Sequence, residues 1–230
     1  MPMPSQAIAN QFVDNPGTFL KTNAVQWFGA GYPADQSVIR VALVDGDSVH
    51  GYHVIGRRRT SILRRKVDTP HYCIIWARDG QAAWDQVRAQ NPPTFNVVWS
   101  GFKAGQAVDA ILQSHGPGIM LTLTLTGCSV VCSPNSDGTT AAVFSHYNLM
   151  NQGAGHTLDK ATMEAIAAAA YGNREHRVLT KEQYDAKAKH TGRCEVTVVG
   201  HRRNGRWEFW AQYLEDKASG WQIRSVRKII

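Results

Sequence analysis

The stretch that most constrains this chain runs from Leu121 to Leu149, LTLTLTGCSVVCSPNSDGTTAAVFSHYNL. Leu121 to Thr126 alternates Leu and Thr, the period of a half-buried strand. Ser129 to Cys132 and Ala141 to Tyr147 are β-rich. Between them Ser133-Pro134-Asn135-Ser136-Asp137-Gly138 gathers turn formers and ends in Asp-Gly. An antiparallel hairpin folded about Asp137 sets Cys128 directly across from His146, with β-carbons roughly 5 Å apart. A slip of one residue would send the two side chains to opposite faces, so the pairing depends on the register.

That pairing has a chemical use. A free thiol, with a pKa of about 8.5, is only a few per cent thiolate at neutral pH. A histidine opposite can take its proton, leave a reactive ion pair and hold the thiol below its ordinary pKa. Gly127 lets a carbonyl approach Cys128 with no β-carbon in the way. The backbone N–H groups of Gly127 and Cys128 are then candidates for an oxyanion site. The residues alone equally allow Cys128 to be a small buried hydrophobe and His146 an ordinary strand histidine.

Thr122, Gly127-Cys128 and His146 resemble the Thr–Cys–His set of the cysteine-dependent protein glutamine deamidases. That group includes the cytotoxic necrotizing factor catalytic domain, Burkholderia lethal factor and the chemoreceptor deamidase. Leu125-Thr126-Gly127-Cys128 is similar to the toxins' Leu-Ser-Gly-Cys, with Thr for Ser. Thr122 stands six residues before the cysteine, as the family's threonine does. The resemblance covers about an eighth of the chain. It implies a Thr122 hydroxyl that orients the His146 imidazole. On a straight strand of about 3.3 Å per residue, Thr122 would lie near 20 Å from Cys128. It reaches His146 only if the chain doubles back near Thr126-Gly127.

Composition narrows the classes. At 230 residues the chain is long enough for one large domain, and 43% hydrophobic content with seven Trp excludes a disordered chain. No run is long and apolar enough for a membrane span. The first residues, MPMPSQAIANQFVDNP, lack the basic and apolar regions of a Sec signal peptide. Four cysteines make no disulfide framework at this length. Cys128 and Cys132 with downstream histidines have irregular spacing for zinc, so neither metal nor cofactor is expected. A net charge of +7 and a pI near 9.4 favour an acidic partner. Six cations carry much of that charge: Arg57, Arg58, Arg59, Arg64, Arg65 and Lys66. They read either as a solvated strand edge or as a docking patch for an acidic target.

Along the chain, residues 1–20 read as a loose N-terminal arm and 21–230 as a single catalytic domain. Val38–Val44 and Val49–Ile55 flank a hairpin signal at Asp45-Gly46-Asp47-Ser48, with His50 and His53 on its second strand. Tyr72–Ala77 and Phe95–Trp99 read as strands, and 81–90 as a helix stopped by Asn91-Pro92-Pro93. Gly105–Ser114 reads as an amphipathic helix with Val108, Ile111 and Leu112 on one face. Leu158–Tyr171 is the strongest helical segment. Thr180 and Gln183 resemble a capping box. Cys194–Val199 and Trp207–Tyr213 form a hairpin about Asn204-Gly205, with Trp207, Phe209, Ala211 and Tyr213 on one face. The expected fold is α+β: a mixed or antiparallel β-sandwich-like core with flanking helices.

The expected function is conversion of a target-protein glutamine to glutamate through a Cys128–His146 thioester, by a bacterial toxin or effector. The resemblance implies a host regulatory protein as substrate, such as a small GTPase or a translation factor. It also implies secretion without a Sec signal and action in the target-cell cytoplasm. A transglutaminase or thiol protease would use the same dyad. A non-enzymatic basic module for an acidic protein or nucleic acid would use the Arg57–Lys66 stretch and leave Cys128 merely structural.

Overall fold

Alternating burial along the strands builds two sheets, with α1 and α2 on the outer face of the large one and α4 on the outer face of the small one. The computed structural model describes residues 3–28, 37–48, 69–103, 105–135, 141–148, 159–185, 194–217 and 220–230. The basic stretch Arg57–Lys66 and the histidines His50 and His53 lie outside them, as does the expected strand Val49–Ile55.

The chain opens with α1 (Gln6–Asp14) and α2 (Pro16–Thr22), so the expected loose arm is instead a helical hairpin. Ser5 caps α1 and Asn15 caps α2, each accepting from a backbone N–H three residues on, and Pro16 sits where its missing N–H is no loss. Phe12, Phe19 and Leu20 carry the pair into the core. Gly17 has to be glycine: a β-carbon there would lie 2.7 Å from the Trp210 ring.

The strands β1 (Ala24–Trp27), β2 (Ser37–Asp45) and β3 (His71–Trp76) come next, followed by α3 (Ala82–Val87). Then come β4 (Thr94–Ser100), β5 (Ala107–Leu112) and β6 (Ile119–Thr122). The strands β7 (Ser129–Ser133) and β8 (Ala142–Tyr147) precede α4 (Lys160–Tyr171). The chain closes with β9 (Arg177–Leu179), α5 (Lys181–Asp185), β10 (Cys194–Arg203), β11 (Arg206–Lys217) and β12 (Gly220–Lys228). The large sheet has the order β1-β3-β2-β4-β6-β10-β11-β12, and the small one β5-β8-β7-β9. The β1–β3 and β4–β6 pairs are parallel and the other pairings are antiparallel.

Gly105–Ser114 is a correction. Its centre is strand β5, in which Val108, Ala110 and Leu112 are buried and their neighbours exposed. Ile111 points to solvent, 49% exposed. The helical spacing of Val108, Ile111 and Leu112 was therefore coincidental, and the period-2 set is the one that packs.

The protein is α+β with a β-rich core. Even-numbered residues of β7 and β8 meet the large sheet: Val130, Cys132, Ala142 and Phe144 pack with Trp207, Phe209 and Tyr213. Phe144 stacks on Phe209 across the two sheets at 5.9 Å. Odd-numbered Val131 and Tyr147 meet Met163 and Ala167 of α4. On the far face of the large sheet, α1 and α2 cover Val41, Leu43, Trp99, Leu121 and Val199. The layers therefore run helix, sheet, sheet, helix. The β10–β11 hairpin turns at Asn204 and Gly205, both at positive φ (51° and 76°), as a two-residue loop of this kind requires. Among the described residues, no helix is long and apolar enough to cross a membrane.

Candidate active site

Thr122 ends β6. Ile119 and Leu121 face the α1–α2 core, so Met120 and Thr122 point the other way, toward the small sheet. Beyond Thr122 the ladder with β10 breaks and resumes one residue out of step, where Leu125 and Val196 exchange backbone hydrogen bonds of 2.7 and 3.0 Å. That irregularity interrupts the expected straight strand to Thr126 ahead of residues 126–128, which lead into β7.

The result is a contact between sheets. Thr122 Oγ1 lies 2.7 Å from His146 Nδ1, with both residues buried (2% and 1% exposed). Among the described residues the other ring nitrogen, Nε2, is buried without a hydrogen-bond partner. Phe102 stands edge-on to the imidazole at 5.6 Å. Burial pushes the imidazole pKa down to about 4, so His146 is neutral near pH 7.

The β7–β8 register differs from expectation by two residues. Val130, not Cys128, pairs with His146. Extended by two positions, the same register sets Cys128 opposite Asn148. A two-residue shift preserves the face, so continuation of the ladder keeps Cys128 and His146 on one side of the small sheet as diagonal neighbours, somewhat under about 7–8 Å apart at their β-carbons. The Cys128 thiol donates to Asn148 Oδ1 at 3.5 Å, and the Cys128 carbonyl accepts from Tyr184 Oη at 3.0 Å. Cys128 is 9% exposed. Burial pushes its thiol up to about 11, opposed by the Lys181 ammonium. The expected thiolate–imidazolium pair is therefore not the resting state, because burial disfavours both charges. Thiol and imidazole are each neutral near pH 7, and no hydrogen bond joins them.

Gly127 is half-buried, and a β-carbon placed on it would meet no atom within 4 Å. The space beside Cys128 on that side is open. Cys132 is fully buried against the inter-sheet core and its thiol is pushed well above the ordinary value. It lies four residues from Cys128, about 13 Å along an extended chain, too far for a disulfide. All four cysteines are free. Among the described residues, no group of three His, Cys, Asp or Glu side chains is arranged to hold a metal ion.

The structure thus brings Thr122, Gly127, Cys128 and His146 into one region. Sequence reasoning missed Asn148, which only the correct register reveals, and Tyr184 and Lys181. These last two follow from the β7–β9 ladder: Val130 pairs with Leu179, so α5 starts beside Cys128. No protein-family model matches the chain, and no curated protein matches it in sequence.

Proposed function

We propose that this chain is a cysteine-dependent deamidase of protein glutamine side chains, with Cys128 as nucleophile and His146 as general base. One observation carries the reading. A buried imidazole has its Nδ1 fixed by the Thr122 hydroxyl and its Nε2 left without a partner, on the sheet face that also bears Cys128. An unpaired buried polar atom costs roughly 1–3 kcal/mol; among the described residues His146 Nε2 is one of six such side-chain atoms, set apart by lying on the face that bears Cys128.

With Nδ1–H donating to Thr122 Oγ1, the Nε2 lone pair is free to act as base. Nε2 takes the thiol proton as Sγ attacks the carboxamide carbon. The carbonyl electron pair moves onto oxygen, where the Gly127 and Cys128 N–H groups donate to it. The intermediate collapses as the imidazolium protonates the departing nitrogen. The C–N bond breaks, and ammonia leaves a thioester. A water then loses a proton to Nε2 and attacks the acyl carbon. The C–S bond breaks and the proton returns to Cys128. Carboxamide plus water becomes carboxylic acid plus ammonia. Because the resting pair is neutral, the base is available at any pH above about 4.

The resemblance to the deamidase toxins supports extending the proposal to an effector that modifies a regulatory protein in a target cell. The test is ammonia release from a eukaryotic lysate, wild type beside Cys128→Ser, with mass spectrometry for glutamine-to-glutamate conversion. Release and conversion by the wild type alone is the expected result. Cleaved peptides would reassign the dyad to a protease, and amine adducts to a transglutaminase. Identical results for the two proteins would refute the enzymatic reading.

A further inference from the structure

Asn148 follows the last residue of β8, and its backbone continues the pairing with the β5 side. Its N–H donates to the Gln106 carbonyl at 3.1 Å and its carbonyl accepts from the Gly105 N–H at 3.0 Å. The residue is buried, and Cys128 and Asn148 lie one step beyond the last β7–β8 pair, Ser129 with Tyr147. The side-chain oxygen accepts the thiol proton at 3.5 Å, while the imidazole nitrogen that should receive that proton has no partner. In this state the thiol rests on an amide oxygen and not on its base. A thiol is a weak donor, so that bond exchanges readily for a stronger one.

We propose that Asn148 is a catalytic residue that reads the substrate carboxamide: it holds the Cys128 thiol off His146 in the free enzyme and trades it for a substrate amide N–H. The substrate half of this rests on the deamidase reading above. A side-chain amide offers an acceptor oxygen and an N–H₂ donor, and so does a glutamine carboxamide. The two pair head to tail. Oδ1 of Asn148 accepts from the substrate nitrogen, and Nδ2 donates to the substrate oxygen on which charge will develop. Once Oδ1 is taken, the displaced thiol turns to Nε2, and the dyad assembles with the carboxamide already beside Sγ. The glutamate product has no N–H to offer. Its arrival returns Oδ1 to the thiol, which favours release and keeps the nucleophile idle between turnovers.

The test compares two rates in the full chain. The first is modification of Cys128 by methyl methanethiosulfonate, a small neutral reagent with no N–H, read by mass spectrometry at that residue. The second is ammonia release from the lysate. Asn148→Leu is expected to speed modification about tenfold or more, because the thiol falls to Nε2, and to slow ammonia release by a comparable factor. In the double variant Asn148→Leu with His146→Gln, the acceleration is expected to vanish. Persistence of the faster modification in the double variant would attribute it to easier access and overturn the proposal. A single variant slow in both rates makes Asn148 structural, and one unchanged in both makes it a bystander; either overturns the proposal. Asn148→Ala repeats the measurement should the leucine variant fail to fold. If the wild type releases no ammonia, the deamidase reading and the carboxamide half of the proposal fall together, while the modification rates still decide whether Asn148 restrains the thiol.

Discussion

Replacing Thr122 by valine isolates the hydroxyl that organises the site. Valine keeps the branched shape and substitutes a methyl group for the hydroxyl 2.7 Å from His146 Nδ1. A buried donor deprived of its acceptor loses roughly 1–3 kcal/mol. In the proposed mechanism the hydroxyl accepts from Nδ1–H, and this is the bond that supports the tautomer whose Nε2 can act as base. At 1.36 kcal/mol per factor of ten, losing it reduces the competent imidazole about 5- to 150-fold. The turnover rate constant should fall by that factor with KM unchanged, since Thr122 is buried beneath the imidazole and is not placed to touch substrate. Thr122→Ser, which restores the hydroxyl, should recover most of the rate. Single-turnover ammonia release measures the chemical step, and nitrogen-15 NMR of His146 reads which nitrogen carries the proton. A valine variant within twofold of wild type, or a wild-type imidazole protonated on Nε2, would refute the reasoning.

Gly127→Ala should melt within about 2 °C of wild type, because its methyl meets nothing within 4 Å. It should nevertheless slow ammonia release by about 100-fold, since the methyl occupies the approach to Cys128; undiminished turnover would put that approach elsewhere. Cys132→Ala should lower stability by about 1–2 kcal/mol through a cavity in the inter-sheet core, while leaving the rate of Cys128 modification unchanged. A change in that rate would show that Cys132 takes part in the chemistry. His146 has a folded pKa of about 4, below its unfolded value of about 6.5. The unfolded state therefore binds more protons between these values, and stability should fall by about 3 kcal/mol as pH drops from about 6.5 to about 4. Denaturant titrations across that window should show a shallower decline for His146→Gln, and equal declines would contradict the burial of the imidazole.

Much of this architecture was legible because local chemistry and burial agree. Asn204-Gly205 fixes the β10–β11 turn at positive φ, and the Trp207, Phe209, Ala211 and Tyr213 face packs as its alternation requires. Asn91 takes the left-handed conformation and stops the segment after α3 just before Pro92-Pro93. Thr180 and Gln183 form half of the expected capping box: the Thr180 N–H donates to Gln183 Oε1 at 2.9 Å, while Thr180 Oγ1 has no hydrogen-bond partner among the described residues. Failures came where two periods fit the same letters. Val108, Ile111 and Leu112 satisfy a helix, while Val108, Ala110 and Leu112 satisfy a strand, and only the tertiary packing chooses. The first 20 residues looked polar, yet four buried apolar side chains, Ala9, Phe12, Phe19 and Leu20, suffice to dock two capped helices. At the site, the face of Cys128 and His146 was readable from period 2. The register was not, because a long polar turn can be crossed in more than one way and each two-residue step keeps the same faces. Asn148 was hidden by that ambiguity.

The site's chemistry follows from which sheet supplies each part. Thr122 comes from the large sheet, and His146 and the hairpin beside Cys128 come from the small one. The orienting bond therefore exists only when the sheets are docked. A neutral hydrogen bond contributes only about 1 kcal/mol net, whereas each large apolar side chain buried between the sheets contributes about 1.5–3 kcal/mol. The Phe144–Phe209 layer thus holds the hydroxyl against the imidazole, and not the reverse. The same dry layer drives the thiol toward about 11 and the imidazole toward about 4. Such a thiol is a poor target for solution oxidants and electrophiles, which react with the thiolate. In the proposed mechanism its reactivity is created locally, by moving the S–H from the Asn148 oxygen to the His146 nitrogen. On that reading burial, which taken alone argues against a catalytic cysteine, confines nucleophilicity to the moment a substrate is bound.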